Sequence, residues 1–187
     1  YVQVYYQPYP LVSETPITIH SDQEFAEAAL TYGWSGNGSA DNPYLIVDLA
    51  IDGQGWNYCL HIEHTTVHFV MRNCTFFAGS TYGFVTGVEL LDVVNGRFEE
   101  CSFLGDLQAG LNVDQGQLVI VDSLFDGPMG YGIFHSSGEL VHVENVTFVS
   151  VMTALYLQST NFVTVMDSLF ENCYGGMNAI DSHEVLV

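Results

Sequence analysis

The apolar positions of this chain alternate every second residue in short runs, and the runs recur at a nearly fixed interval. Five segments carry one pattern: Arg72-Asn-Cys-Thr-Phe76, Glu99-Glu-Cys-Ser-Phe103, Val121-Asp-Ser-Leu-Phe125, Glu144-Asn-Val-Thr-Phe148 and Met166-Asp-Ser-Leu-Phe170. Their terminal phenylalanines lie 27, 22, 23 and 22 residues apart. A second in-phase element precedes four of them, as Tyr82-Gly-Phe-Val, Ala109-Gly-Leu-Asn, Tyr131-Gly-Ile-Phe and Thr153-Ala-Leu-Tyr, and returns at Gly175-Gly-Met-Asn. Each repeat therefore holds two or three short strands separated by polar turns, too short a unit to bury an apolar face by itself.

Period two inside each strand places Met71, Phe98, Ile120, Val143 and Val165 on one inward column and Phe69, Gly96, Leu118, Val141 and Val163 on another. The phenylalanines form a third. Coils of about 22 residues that stack like on like predict an all-β fold, a right-handed parallel β-helix. Extra residues in the coil between Phe84 and Phe103 predict a small protruding loop around Val88-Glu-Leu-Leu91. Ahead of the repeats, residues 21–31 predict a capping helix with Ser21 or Asp22 as N-cap and carboxylates in its first turn. Its expected task is to cover the N-terminal end of the core. The expected organisation is an extended arm over 1–15 and a β-helix domain over 16–187, with coils from about residue 44.

At Tyr131-Gly-Ile-Phe and Glu144-Asn-Val-Thr-Phe148 the chain resembles the parallel β-helix repeats of the NosD and carbohydrate-binding-and-sugar-hydrolase type. Thr15-Pro-Ile-Thr-Ile19, Gly36-Asn-Gly-Ser-Ala-Asp-Asn-Pro-Tyr44 and Ile51-Asp-Gly53 resemble the opening of secreted β-helix proteins common in archaea. The resemblance spans roughly residues 16 to 187. It implies fold and an extracellular location rather than an activity.

Charge changes the picture most. The 187 residues hold 22 acidic side chains against two arginines and no lysine, a formal net charge of -20. Nucleic acid is excluded as a partner, because neutralising phosphates takes clustered cations. Only 13% of residues are charged while 48% are hydrophobic, which argues against a disordered acidic tail. No run is apolar enough to span a membrane, and numbering from Tyr1 suggests a removed secretion signal. Sequons at Asn37, Asn73 and Asn145 are candidate glycosylation sites compatible with the cell exterior.

Candidate chemistry is sparse. Polyuronate lyases and hydrolases on this fold need grouped carboxylates with a cation beside them, and Arg72 and Arg97 fall at non-equivalent repeat positions with no obvious shared site. A non-catalytic protein is the expectation, with no certain cofactor. The turn column Asn73, Glu100, Asp122, Asn145 and Asp167 makes Glu100, Asp122 and Asp167 candidate calcium ligands, against the plainer reading that Asn and Asp favour tight turns. His61, His64 and His68 are the densest histidine cluster, without an evident third and fourth ligand. His135 shares the column of Ile62, Thr86, Val113 and Leu157 and should point inward. Cys74 and Cys101 occupy one inward position on neighbouring coils, as a disulfide or a reduced pair.

Outward columns also carry Val119, Leu124, Phe134, Leu140, Tyr156, Phe162 and Leu169, expected to merge into partner patches. The strand-like arm with Tyr1, Val2, Val4, Tyr5, Tyr6 and Tyr9, and the uncapped last coil at Val185, Leu186 and Val187, point to self-assembly into a filament, sheath or surface layer. Glycans are the alternative partner, bound through aromatic side chains such as Tyr131 and Tyr156.

Overall fold

A computed structural model describes residues 13–53, 55–78 and 84–187. The chain begins with β1 (Ser13–Glu14) and β2 (Ile17–Ile19), then the helix α1 (Asp22–Tyr32), β3 (Tyr44–Val47), β4 (Ala50–Asp52), β5 (Tyr58–Thr65), β6 (Phe69–Arg72) and β7 (Thr75–Ala78). It continues through β8 (Thr86–Val93), β9 (Gly96–Glu99), β10 (Ser102–Gly105), β11 (Ala109–Asp114), β12 (Gln117–Val121), β13 (Leu124–Asp126) and β14 (Tyr131–Ser136). The last elements are β15 (Leu140–Glu144), β16 (Thr147–Val149), β17 (Thr153–Gln158), β18 (Asn161–Met166), β19 (Leu169–Glu171), β20 (Gly175–Ile180) and β21 (His183–Leu186).

These strands form three parallel seven-stranded sheets among the described residues, ordered β1-β4-β7-β10-β13-β16-β19, β2-β5-β8-β11-β14-β17-β20 and β3-β6-β9-β12-β15-β18-β21. Every third strand pairs with its counterpart one coil on, so the chain is a parallel β-helix. The first two strands precede the helix: β1, inside the stretch expected to be an arm, pairs with β4, and β2 pairs with β5. The remainder of the arm, including Tyr1, Val2, Val4, Tyr5, Tyr6 and Tyr9, lies outside the described residues.

Like residues stack because parallel pairing sets each side chain above the same position of the next coil, about 4.8 Å away. Phe76, Phe103, Phe125 and Phe148 are fully buried, and with Phe170 they form a continuous ring stack at centroid spacings of 5.1, 4.4, 4.8 and 5.2 Å. Each such contact contributes about 0.5–1.5 kcal/mol beyond the area buried. Gly110 and Gly132 make room for this stack: a Cβ at Gly132 would stand 2.6 Å from the Ala154 carbonyl and 2.7 Å from the Phe148 ring.

The helix covers the N-terminal end of the core. Ser21 caps it by accepting the Glu24 N–H, and Asp22 accepts hydrogen bonds from the Thr65 hydroxyl (2.6 Å) and from the Thr66 N–H and hydroxyl. Those bonds, led by the one from Thr65, hold the Asp22 carboxyl below the ordinary value. Phe25 is driven fully inside, stacked on Tyr44 at 5.2 Å and against Phe69.

Two expectations of register are corrected. Val88-Glu-Leu-Leu91 is not a loop but the middle of β8. Ala78 pairs with Gly105, 27 residues on, whereas Thr86 pairs with Ala109, 23 residues on, so four of the five extra residues lie between Ala78 and Thr86. The equivalent of Ala109-Gly-Leu-Asn is therefore Thr86-Gly-Val-Glu, not Tyr82-Gly-Phe-Val, because only that register turns Val88 and Leu90 inward.

The same shift replaces Thr86 by Leu90 in the column of His135. His135 is fully buried among Val113 and Leu157, with Nδ1 2.9 Å from the Thr160 hydroxyl, which itself donates to the Gln158 carbonyl. Burial pushes its pKa down to about 4 from an ordinary 6.5. The unfolded chain therefore takes up a proton between those values that the folded chain refuses, and stability falls as pH drops through this window. His135→Leu is expected to remove up to about 3 kcal/mol of the stability lost between pH 7 and pH 4, read as a smaller shift of the denaturation midpoint than in the parent chain.

Candidate functional site

The outward face of the β2-β5-β8-β11-β14-β17-β20 sheet concentrates the chemistry. One register column runs Thr18, His61, Glu89, Asn112, Phe134, Tyr156 and Asn178, and the column beside it continues Glu63, Leu91, Asp114, Ser136, Gln158 and Ile180. Strand alternation aims both away from the core, while Leu60, Ile62, Val88 and Leu90 fill the interior.

At the N-terminal end of this face His20, just past β2, reaches Glu63 with Nδ1 2.6 Å from Oε1. His61 Nε2 lies 3.2 Å from Glu63 Oε2, and its Nδ1 lies 2.9 Å from Glu89 Oε2. Glu89 in turn accepts a hydrogen bond from the Asn112 amide at 3.3 Å. Tyr58 stacks on the His61 ring at 5.0 Å. Bonding to His20, and then to His61, keeps the Glu63 carboxyl below its ordinary value.

Farther along, Phe134 and Tyr156 stack face to face at 5.0 Å with 6° between their planes, and Tyr131 stands nearly perpendicular to both. Tyr156 thus occupies one face of Phe134. On the other side lies Asn112 of the preceding coil, and a shallow groove opens between Thr86, Glu89, Gln108, Asn112, Tyr131 and Phe134. An aromatic wall beside carboxamides and a carboxylate can take a ring that is apolar on one side and hydroxylated at its rim. The chain matches no family model, no curated protein and no solved structure.

The other anticipated residues are placed as follows. Of the three clustered histidines only His61 joins the network; His64 pairs with Asp92 at 3.3 Å, and His68 sits at the corner before β6. Sequence reading missed His20, which lies 41 positions before His61 and is brought in by the pairing of Ile19 with Ile62. The alternation of Ile17-Thr-Ile19, matching Leu60-His-Ile62, was the available signal.

Arg72 and Arg97, expected to share no site, converge on Glu99: Arg72 Nη2 approaches Oε2 at 2.6 Å and Arg97 Nε approaches Oε1 at 2.6 Å. Burial of Glu99 opposes ionisation, yet the two guanidiniums prevail and its carboxyl stays below the ordinary value. The long Arg72 side chain reaches its strand neighbour directly, because Arg72 pairs with Glu99 in register.

Two of the outward apolar residues are flanked along their columns by polar neighbours. Val119 stands between Arg97 and His142, and Leu124 between Ser102 and Thr147. Others stand together: Phe134 on Tyr156, and the exposed Leu140 beside the exposed Phe162. Val185 packs partly on the core, while Leu186 and Val187 are exposed on the last described coil.

Cys74 and Cys101 are free, buried thiols that donate to backbone carbonyls. Contact with Cys74, reinforced by burial, raises the Cys101 thiol far above its ordinary value. Cys59, buried beside the Phe77 carbonyl, is pushed up to about 12.

Asn73, Glu100, Asp122, Asn145 and Asp167 share a left-handed corner, with φ of 54, 54, 52, 52 and 48°. Asn and Asp tolerate that conformation best among residues with a Cβ. Both amides of the column donate to a carboxylate one coil back: Asn73 Nδ2 to Asp48 at 2.7 Å and Asn145 Nδ2 to Asp122 at 2.6 Å. The sequon nitrogens of Asn73 and Asn145 are thus engaged, while Asn37 is exposed with its side-chain oxygen on the Ser39 N–H. Glu100, Asp122 and Asp167 are exposed, and Asn145 separates the last two. Asn145→Asp loses the bond to Asp122 and sets three carboxylates, at positions 122, 145 and 167, at successive strand spacings. It is expected to cost about 1–2 kcal/mol, read from the denaturant midpoint with a chelator present.

Proposed function

We propose that this protein is a non-catalytic extracellular β-helix that binds a neutral glycan on its β5-β8-β11-β14-β17 face. The observation that carries this reading is the groove lined by Phe134, Tyr131, Asn112, Gln108 and Glu89, with Tyr156 stacked behind Phe134. A sugar ring stacked on Phe134 would offer its hydroxyls to Asn112 and to the carboxylate of Glu89. Neutral sugars fit better than uronates. The net charge is -20, and both arginines are bound to Glu99 on a different sheet. The resemblance of residues 15–53 to the opening of secreted β-helix proteins supports the extracellular location.

Retention on an array of neutral oligosaccharides, followed by calorimetry with the best binder, tests the proposal. Phe134→Ala is expected to weaken binding by about tenfold or more, the scale of losing one buried aromatic contact. Absence of binding to every neutral glycan, or equal binding by the folded variant, would overturn it.

A second reading, self-assembly into a filament, sheath or surface layer, is favoured by the last described coil. Met177, Ile180, Leu186 and Val187 are exposed along parallel edges that can accept a further coil, from a continuing chain or from another copy. Sedimentation velocity over a concentration series is expected to show association that Met177→Glu with Ile180→Glu suppresses; a monomer at all concentrations would dismiss this reading.

A further inference from the structure

We propose that His20, His61 and Glu63 form a binding site for a divalent transition-metal ion of the zinc or copper class. The inference does not rest on glycan binding: none of the three ligands lines the groove, and the two readings share only Glu89.

Geometry comes first. Among the described residues these three bring a ligand atom each within 4.8 Å of one another, the span of one coordination sphere. All three are fixed by regular structure. His61 and Glu63 alternate on β5, and β2 lies in register beside it, Ile19 on Ile62, which sets His20 next to Glu63. The His20 N–H donates to Glu24 Oε2 at 2.8 Å, which ties this position to the first turn of α1.

Proton counting points the same way. A neutral imidazole donates from one nitrogen only. Both nitrogens of His61 face carboxylates, Glu89 at 2.9 Å and Glu63 at 3.2 Å. Glu63 is thus approached by His61 Nε2 on one oxygen and by His20 Nδ1, at 2.6 Å, on the other. Two carboxylates flanking one imidazole favour a positive charge at this point, supplied by a proton or by a metal ion that takes its place, and the chain's two arginines are both held by Glu99 elsewhere.

A carboxylate behind a ligating histidine is the usual outer support of a metal site: it fixes the tautomer and strengthens the ligand. Glu89 stands in that place and is itself oriented by Asn112. Two imidazoles with one carboxylate select zinc or copper over calcium and magnesium, which require oxygen ligands. His20 is half exposed and Glu63 partly so, which leaves a coordination position open toward solvent.

The test is titration of the full chain with zinc alone by calorimetry at pH 7.5, and with copper(II) by electron paramagnetic resonance. One equivalent should bind, with nitrogen coupling from two imidazoles in the copper spectrum. His20→Ala and His61→Ala should each weaken zinc binding at least about tenfold, and Glu89→Ala by about 10- to 100-fold. His142→Ala, which removes an isolated His–Glu pair, and Phe134→Ala should leave it unchanged, so a failed glycan experiment does not touch this result. Thermal melts without metal establish that each variant folds; should His61→Ala not fold, the exposed His20→Ala and the copper spectrum of the parent decide. Unaltered zinc affinity in His20→Ala, a copper spectrum without two-nitrogen coupling, or displacement of zinc by millimolar calcium would overturn the proposal.

Discussion

In-register parallel pairing at about 4.8 Å is the constraint on which the rest of this molecule depends. It sets each residue upon its counterpart one coil on, so that whatever stands at one position must tolerate something similar directly above and below. Phenylalanine at such a position becomes a ring stack, from Phe76 to Phe170. A corner with positive φ becomes a column rich in Asn and Asp, and there an amide set beside a carboxylate converts repulsion into a hydrogen bond.

The same constraint explains how a chain so poor in cations folds with so many acids. Carboxylates are met by whatever donor the neighbouring coil or helix provides. Asp22 uses Thr65 and Thr66, Glu63 uses His20 and His61, Glu89 uses His61 and Asn112, and Asp114 uses the Ser136 hydroxyl. The two arginines are spent together on Glu99. Histidine thus carries much of the positive or potentially positive charge, and the outward face of one sheet gathers it beside an aromatic groove.

Along that face a single column changes character from imidazole and carboxylate, through carboxamide, to stacked aromatics. Glu89 joins the two ends, with one oxygen toward His61 and the other toward Asn112 at the groove. A rigid sheet that spaces its side chains evenly is well suited to an extended ligand, since the positions are fixed before binding and little order remains to be gained.

The sequence by itself determined the β-helix, its inward columns and the capping helix. Each rests on local periodicity and on repeats about 22 residues apart, which parallel stacking requires wherever they recur. It determined the acidic character and the turn chemistry of Asn73 through Asp167 for the same reason. Tertiary structure alone decided the register across residues 78–86, where an insertion leaves two alignments that differ by four residues and only burial of Val88 and Leu90 chooses between them. It alone brought His20 to Glu63 and His61, and Arg72 with Arg97 to Glu99. Those meetings depend on which side chains share a face across strands, and on how far long side chains reach, neither of which a repeat period encodes.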